Sequence, residues 1–360
     1  MNIKEENYQL ALANRANSSP FNSAKPVRVF IMTNNSCNLR CPTCPNYAAL
    51  TAVPPKSSAE FPFEKFTEIA SQLFPTALEY HASVAGEPLL TSYFHEIPDA
   101  LSQYGVRMNL TTNGMLLDSE LSKSLMPILS ELKISFDSPE KSTFERLRPG
   151  SNFETILENV KQAVLAKHQY LKNKPQNTSG LPRITLQATL MRENIEQLPD
   201  LVRLARNLGV DRLKAYLFIA YRQSEIGKSL WFHQDLTDRS LAISTELANK
   251  LGLQVTFPRP FSVKHEELSS DSKASCHFLW QEAWINQDGN VIPCCNLGAP
   301  VLGNVFHQDF LQIWNNAKYM KLRRDLITNK PAKCCQSCAL VNEFRKNGSA
   351  YTRQSLIQIK

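Results

Sequence analysis

The stretch Val27-Arg-Val-Phe-Ile-Met32, a polar Thr-Asn-Asn-Ser, and then Cys37-Asn-Leu-Arg-Cys41-Pro-Thr-Cys44 decides how this chain is read. A β-rich apolar run ends in a polar turn and delivers three cysteines spaced C-x3-C-x2-C, so the thiols sit just past the C-terminal end of a strand. Three close thiolates suit a four-iron cluster whose fourth iron has no protein ligand and can bind substrate. A zinc site is the alternative; it wants a fourth ligand nearby, and Asn34, Asn35 and Asn38 are poor ones.

Five more β-rich runs follow, near 78–84, 107–111, 132–136, 184–190 and 213–218, with helical patterns between them. The clearest helix covers about 153–171, where Ile156, Val160, Val164 and Leu171 recur at helical spacing and Asn152 can cap the first turn. This alternation predicts an α/β fold around a parallel sheet. Six βα units predict a partial (β/α)6 barrel, with reactive groups in the loops at the C-terminal ends of strands. Polar segments at 173–182 and 263–275 punctuate the chain, the second marking a domain boundary. The expected organisation is an N-terminal extension (1–26), a barrel core (27–225), a connecting segment (226–275), a small cysteine-rich α+β module (276–345) and a tail (346–360).

The chain has 360 residues, 42% of them hydrophobic and 20% charged, which is ordinary globular composition and excludes a wholly disordered chain. It contains no apolar run of about 18 residues, as a membrane helix needs. The first twenty residues carry Glu5 and Glu6 and lack the apolar centre of a secretion signal. A cytoplasmic protein with no membrane partner is expected. The net charge of +7 is scattered, and its densest patch, Lys318 to Arg324, interleaves with Tyr319, Met320 and Leu322. That pattern reads as a solvated helix face and gives no reason to expect nucleic acid.

All nine cysteines fall into two groups; the second comprises Cys276, Cys294, Cys295, Cys334, Cys335 and Cys338. An odd count without a secretion signal argues against a disulfide framework and for metal or cluster ligation. Cys276-x12-Gly289-x4-Cys294 followed by Cys335-Gln-Ser-Cys338 is a four-thiolate set suited to a fully ligated cluster, although four cysteines also describe a zinc site. Asp288-Gly289 predicts a hairpin turn that would hold Cys276 and Cys294 near each other.

With these motifs in place, residues 27 to 225 resemble the radical S-adenosylmethionine (SAM) superfamily, whose signature is the cysteine triplet after the first strand. Ala85-Gly86-Glu87-Pro88, Thr112-Asn113-Gly114 and Ser135-Phe136-Asp137-Ser138 follow successive strands in the family's order. The resemblance implies that Gly86 and Glu87 hold the methionine amino group of SAM and that Asn113, Ser135 and Asp137 lie at the nucleoside. Arg148 pairs with the methionine carboxylate, or Arg192 or Asn194 does so instead. Two positions depart from the family pattern: Thr43 stands where an aromatic is common, and Ala85 replaces a glycine.

The second cysteine group resembles the twitch module, the shorter relative of the SPASM domain, through Trp284 to Cys295, Leu302-Gly303-Asn304-Val305 and Ile313-Trp314-Asn315. This implies one auxiliary [4Fe–4S] cluster on Cys276, Cys294, Cys335 and Cys338, with Cys334 as the alternative third ligand. His277 is a stray ligand or a structural residue. Cys295 is a small buried hydrophobe, or a thiol that returns hydrogen to a substrate radical. The implied activity is reductive cleavage of SAM at a [4Fe–4S] cluster to a 5′-deoxyadenosyl radical, which abstracts hydrogen from a substrate carbon. Dehydrogenation, epimerisation or cross-linking then follows, on a polyol or aminosugar-like metabolite or on a peptide. A flavodoxin or ferredoxin supplies the electron. Trp280, Trp284, Tyr216, Phe218, Tyr221 and Arg222 lie where a pocket can form, or else belong to the core. A non-catalytic redox sensor or electron carrier is the rival reading; it has no use for Glu87, Asn113 and Asp137.

Overall fold

Val27, Val29 and Ile31, the alternate apolar residues of the first predicted strand, are almost completely buried, and a strand forms at Arg28–Ile31. The computed structural model describes residues 2–44, 60–82, 85–173, 182–220, 222–263, 276–296, 298–336 and 338. The end of the second predicted strand (83–84), most of both polar segments (174–181 and 264–275), Tyr221 and the tail lie outside the described residues.

Ten strands are present among the described residues: β1 (Arg28–Ile31), β2 (Glu79–His81), β3 (Arg107–Thr112), β4 (Leu129–Ser135), β5 (Arg183–Leu190), β6 (Arg212–Leu217), β7 (Gln254–Thr256), β8 (Glu282–Ile285), β9 (Asn290–Ile292) and β10 (Gly303–Asn304). The chain divides into two compact units, one of Met1–Ser36, Ser57–Asn109 and Glu266–Ala350, the other of Cys37–Lys56, Leu110–His265 and Tyr351–Lys360. In the first, the strand order is β10-β9-β8-β1-β2-β3, with β1 parallel to both β2 and β8, and with β8-β9 and β9-β10 antiparallel. In the second it is β3-β4-β5-β6-β7, with β4 to β7 parallel throughout. Among the described residues β10 and β7 each have a single neighbour, so the strand order is open. This is the α/β architecture of a partial barrel.

All six predicted strands form. β4 begins at Leu129, earlier than its apolar pattern suggests, because Glu131 interrupts the run. The fold satisfies that charge with the Arg212 guanidinium and with the Thr185 hydroxyl at 2.6 Å. The helix at Phe153–Lys172 also forms, and Asn152 Oδ1 accepts from the Thr155 N–H at 2.8 Å.

Two features go beyond the sequence pattern. The segment 226–275 contains a helix at Gln234–Leu251 and the short β7, which pairs with β6. β7 is only Gln-Val-Thr, with no apolar run to announce it. In the cysteine-rich module, β8 pairs with β1, and Asn286 to Gly289 close the expected hairpin to β9, with the Gly289 N–H on the Asn286 carbonyl at 3.0 Å. Among the described residues no helix is long and apolar enough to cross a membrane.

Candidate active site

In the second unit, the C-x3-C-x2-C loop is held by bonds from residues far along the chain. The Asn113 amide donates to Asn38 Oδ1 at 2.7 Å and lies 3.9 Å from Cys37 Sγ, while the Leu39 N–H reaches that sulfur at 3.4 Å. The Arg40 N–H donates to the Pro149 carbonyl at 2.9 Å. Gly150, at φ +93, brings its backbone against Asn38, where a Cβ would stand 3.1 Å from the Asn38 carbonyl oxygen. Arg222 donates to the Pro42 carbonyl and pairs with the buried Glu225.

All three cysteines of the triplet are free thiols. Burial pushes the Cys41 thiol up to about 11; Arg148 opposes this, while Asp137, Cys44 and Cys37 add to it. Neighbouring thiols with N–H donors aimed at sulfur fit a cluster, whose hydrogen bonds to sulfur are a main control on its potential. Among the described residues no three His, Cys, Asp or Glu side chains converge as ligands of one metal ion. A cluster instead spreads its thiolates over separate irons.

Behind the triplet, Asp137 is buried and both its oxygens are engaged. Oδ1 accepts from the Thr189 N–H at 2.7 Å, and Oδ2 lies 2.7 Å from Arg148 Nε. Burial works against the Arg148 charge, but Asp137 and then Cys41 outweigh it and hold its pKa above the ordinary value. Arg148 thus carries its positive charge beside the Asp137 carboxylate and under the influence of the Cys41 thiol. The two alternatives to Arg148 are spent locally. Arg192 forms an exposed ion pair with Glu196, and the Asn194 side chain bonds the Met191 N–H and the Asp137 and Thr189 carbonyls. Ser135 ends β4, half-buried, opposite Gln187.

The Gly86-Glu87 segment belongs to the first unit. Gly86 adopts φ +70 and packs directly on the chain before the triplet: a Cβ there would lie 2.6 Å from the Ser36 carbonyl oxygen and 2.7 Å from Asn34 Oδ1. The Glu87 N–H donates to Ser36 O at 2.7 Å, and Asn34 Nδ2 donates to Glu87 O at 3.1 Å. The Glu87 carboxylate is buried and accepts from the Leu89 N–H at 3.2 Å. Among the described residues Asn34 Oδ1 is buried with no hydrogen-bond partner, an acceptor suited to a bound donor such as an ammonium.

The second cysteine group also lies in the first unit. Burial pushes Cys276 up to about 11, against donation from the Phe278 and Leu279 N–H groups, with Cys338 adding to the rise. Burial pushes Cys294 up to about 12, against the Asn296 N–H, with Cys295, Cys276 and Cys338 adding to it. Cys335 is raised by burial and then by Cys334, Cys276 and Cys294. Cys276, Cys294 and Cys335 are thus each acted on by other members of the expected set, and two of them receive backbone N–H groups. These residues fit an auxiliary cluster. The thiols of Cys334 and Cys335 lie 3.8 Å apart.

Two expectations change, and the choice between pocket and core is decided for several aromatics. Cys295 is exposed, so it is not a small buried hydrophobe; Pro293 beside it takes the interior position. The Lys318 to Arg324 helix is solvated at Lys318, Lys321 and Arg324, but Arg323 is fully buried. Of the pocket aromatics, Trp280 is core, its indole N–H on the Ser19 carbonyl at 2.9 Å, and Phe218 packs with Leu147 and Met191. Trp284 stacks on Phe30 at 3.8 Å, and Phe30 stacks on His81 at 4.1 Å. Tyr216 is exposed and Tyr221 lies outside the described residues. His277 faces the buried Glu282 at 3.4 Å. The ties from Asn38, Pro149 and Gly150 were not read from the sequence, since nothing local marks them.

A family model described as the radical SAM superfamily matches residues 31–205, and one described as SPASM, an iron–sulfur cluster-binding domain, matches residues 276–339. The chain belongs to the radical SAM superfamily, with a C-terminal SPASM domain. It is an enzyme of that family, using a [4Fe–4S] cluster, SAM and auxiliary iron–sulfur chemistry. Among curated relatives it is 24% identical over 326 residues to PqqA peptide cyclase of Gluconobacter oxydans, covering 87% of this chain and 82% of that one. It is 23% identical over 336 residues to the tungsten-containing aldehyde ferredoxin oxidoreductase cofactor-modifying protein of Pyrococcus furiosus, covering 87% of each. Its fold is similar to that of Streptococcus suis SuiB bound to precursor peptide SuiA, with a TM-score of 0.66 at 15% identity over 98% of this chain and 80% of that one.

Proposed function

We propose that this enzyme modifies a carbon centre of a peptide. The observation that carries this is the likeness to a peptide cyclase along most of both chains. When bound, the reduced cluster and SAM supply a 5′-deoxyadenosyl radical that removes hydrogen from the substrate.

The protein's own residues position and insulate that chemistry. Cys37, Cys41 and Cys44 hold the SAM-binding cluster. Asn113 and Arg222 fix the loop that carries them, so the three thiols would be placed before the cofactor arrives. Gly86 and Glu87, with Asn34, offer acceptors to the methionine ammonium, and Arg148, backed by Asp137, offers the positive charge for its carboxylate. Ser135 and Asp137 stand at the nucleoside. In the SPASM domain, Cys276, Cys294, Cys335 and Cys338 hold one auxiliary cluster. The exposed Cys295 beside them is free to donate hydrogen to substrate. A flavodoxin- or ferredoxin-type protein is the reductant.

The test is anaerobic incubation of the reconstituted enzyme with SAM, dithionite and peptides encoded beside its gene. 5′-Deoxyadenosine release coupled to a mass change in the peptide supports the reading. Release coupled only to a sugar or polyol, with no peptide changed, overturns it.

A further inference from the structure

Thr91, which no motif in the sequence marks, closes the short turn Pro88–Leu90 that follows Glu87. The turn is held by the Leu90 N–H on the Glu87 carbonyl at 3.1 Å and the Thr91 N–H on the Pro88 carbonyl at 3.1 Å, and it returns the Thr91 side chain to the segment just past β1. There the hydroxyl meets two side chains. Its Oγ1 lies 2.6 Å from Thr33 Oγ1 and accepts from Asn34 Nδ2 at 2.7 Å. Asn34 Nδ2 also donates to the Glu87 carbonyl at 3.1 Å. Thr33, Asn34, Glu87 and Thr91 are all buried, none more than 4% exposed.

These contacts settle which way the Asn34 amide points. A carbonyl can only accept, so the atom facing the Glu87 oxygen is the amide nitrogen, and both of its hydrogens are used. The amide oxygen is thereby directed at Gly86, where a Cβ would stand 2.7 Å from it. Removing the Thr91 hydroxyl strands one hydrogen of a buried amide, a penalty that the side chain relieves by turning.

The two threonines are themselves braced through other groups. The Phe61 N–H donates to the Thr33 carbonyl at 2.7 Å, and the Glu60 carboxylate accepts from the Ser92 N–H at 2.9 Å and the Ser92 hydroxyl at 2.5 Å. Their backbones are fixed independently of the hydroxyl pair, as the support of a ligand-binding side chain requires. On the reading of Gly86, Glu87 and Asn34 given above, we infer that Thr91, with Thr33 behind it, is a positioning residue for SAM. It holds the Asn34 amide with its oxygen toward the N–H donors of the methionine amino group.

The experiment uses the full chain, reconstituted anaerobically with iron and sulfide, and equilibrium dialysis with two probes: SAM, and a SAM analogue whose α-amino group is replaced by hydrogen. Thr91→Val keeps the outline of the side chain and removes the hydroxyl. It should weaken SAM roughly three- to tenfold, the worth of one hydrogen bond, and leave the affinity for the analogue unchanged. Thr91→Ser keeps the hydroxyl and should restore SAM binding. A purely structural role gives equal losses for both probes, or a lower melting temperature with SAM affinity intact, and either result overturns the inference. Asn34→Ala separates the two levels of the reading. If it binds SAM as the wild type does, the assignment of Asn34 to the amino group fails and the inference falls with it. If it weakens SAM while Thr91→Val does not, the inference alone fails. Should Thr91→Val not fold, Thr33→Val, which removes the group beside the Thr91 hydroxyl, decides by the same comparison of probes.

Discussion

Replacing Gly86 by alanine tests whether close backbone contact at this position builds the SAM site. At φ +70 an L-residue costs about 1–2 kcal/mol. The added Cβ would also stand 2.6 Å from Ser36 O, 2.7 Å from Asn34 Oδ1 and 3.0 Å from the Asn35 carbonyl carbon. Two of these three atoms are backbone and cannot rotate away, and forcing a methyl into such a site costs about 1–3 kcal/mol more. The combined strain of about 2–5 kcal/mol exceeds the roughly 0.5–1.5 kcal/mol net value of a hydrogen bond. The segment is therefore expected to move off Ser36, breaking the Glu87 N–H to Ser36 bond and the Asn34 to Glu87 bond.

SAM affinity, measured by equilibrium dialysis on anaerobically reconstituted protein, should fall at least tenfold with iron content retained. Gly252→Ala is the control. It has nearly the same backbone angle, φ +65, but nothing within 4 Å of the new Cβ, so it should lose a little stability and no SAM binding. Wild-type SAM affinity in Gly86→Ala would refute the reasoning.

Three further outcomes follow from the same geometry. The thiols of Cys41 and Cys276, near 11, and of Cys294, near 12, lie above the ordinary 9.0, so the folded metal-free chain holds these protons more tightly than the unfolded one. Their contribution to stability is complete below pH 9.0 and is lost as pH climbs toward about 11–12. Thermal melts of the metal-free protein should fall over that window more steeply than those of a variant with all three changed to serine, and parallel curves would sink the idea. Arg148→Met leaves the buried Asp137 carboxylate without its cation and should cost about 3–5 kcal/mol in urea denaturation. Adding Asp137→Asn should recover much of that, and a single-variant loss under about 1 kcal/mol would contradict a buried pair. Asn152→Ala removes the cap on Thr155 and should cost about 1 kcal/mol, against no change if that helix start is held by packing alone.

The six strands, the capped helix at 153–172 and the hairpin at Asp288-Gly289 were legible because each is announced by residues adjacent in the chain. β7 was not, since three residues with a single apolar side chain give no periodic signal, and its place follows from pairing with β6. At the site, the triplet stood out by its spacing, while Gly86-Glu87 and Asp137 were singled out by the resemblance to the radical SAM superfamily. The pairing of Arg148 with Asp137 and the hold of Arg222 on the Pro42 carbonyl were not.

By itself the sequence determined which thiols lie close enough along the chain to act together. Thiols seven residues apart at most, after a strand, can share one cluster whatever the rest of the chain does, because the geometry is local. Only the tertiary structure decided which charges are solvated and which are buried. Arg323 and Arg324 are neighbours in one basic run, yet one is sealed against Trp314 and Tyr319 while the other faces water. Successive residues on a helix point about 100° apart, and packing of distant segments selects the direction that faces the interior.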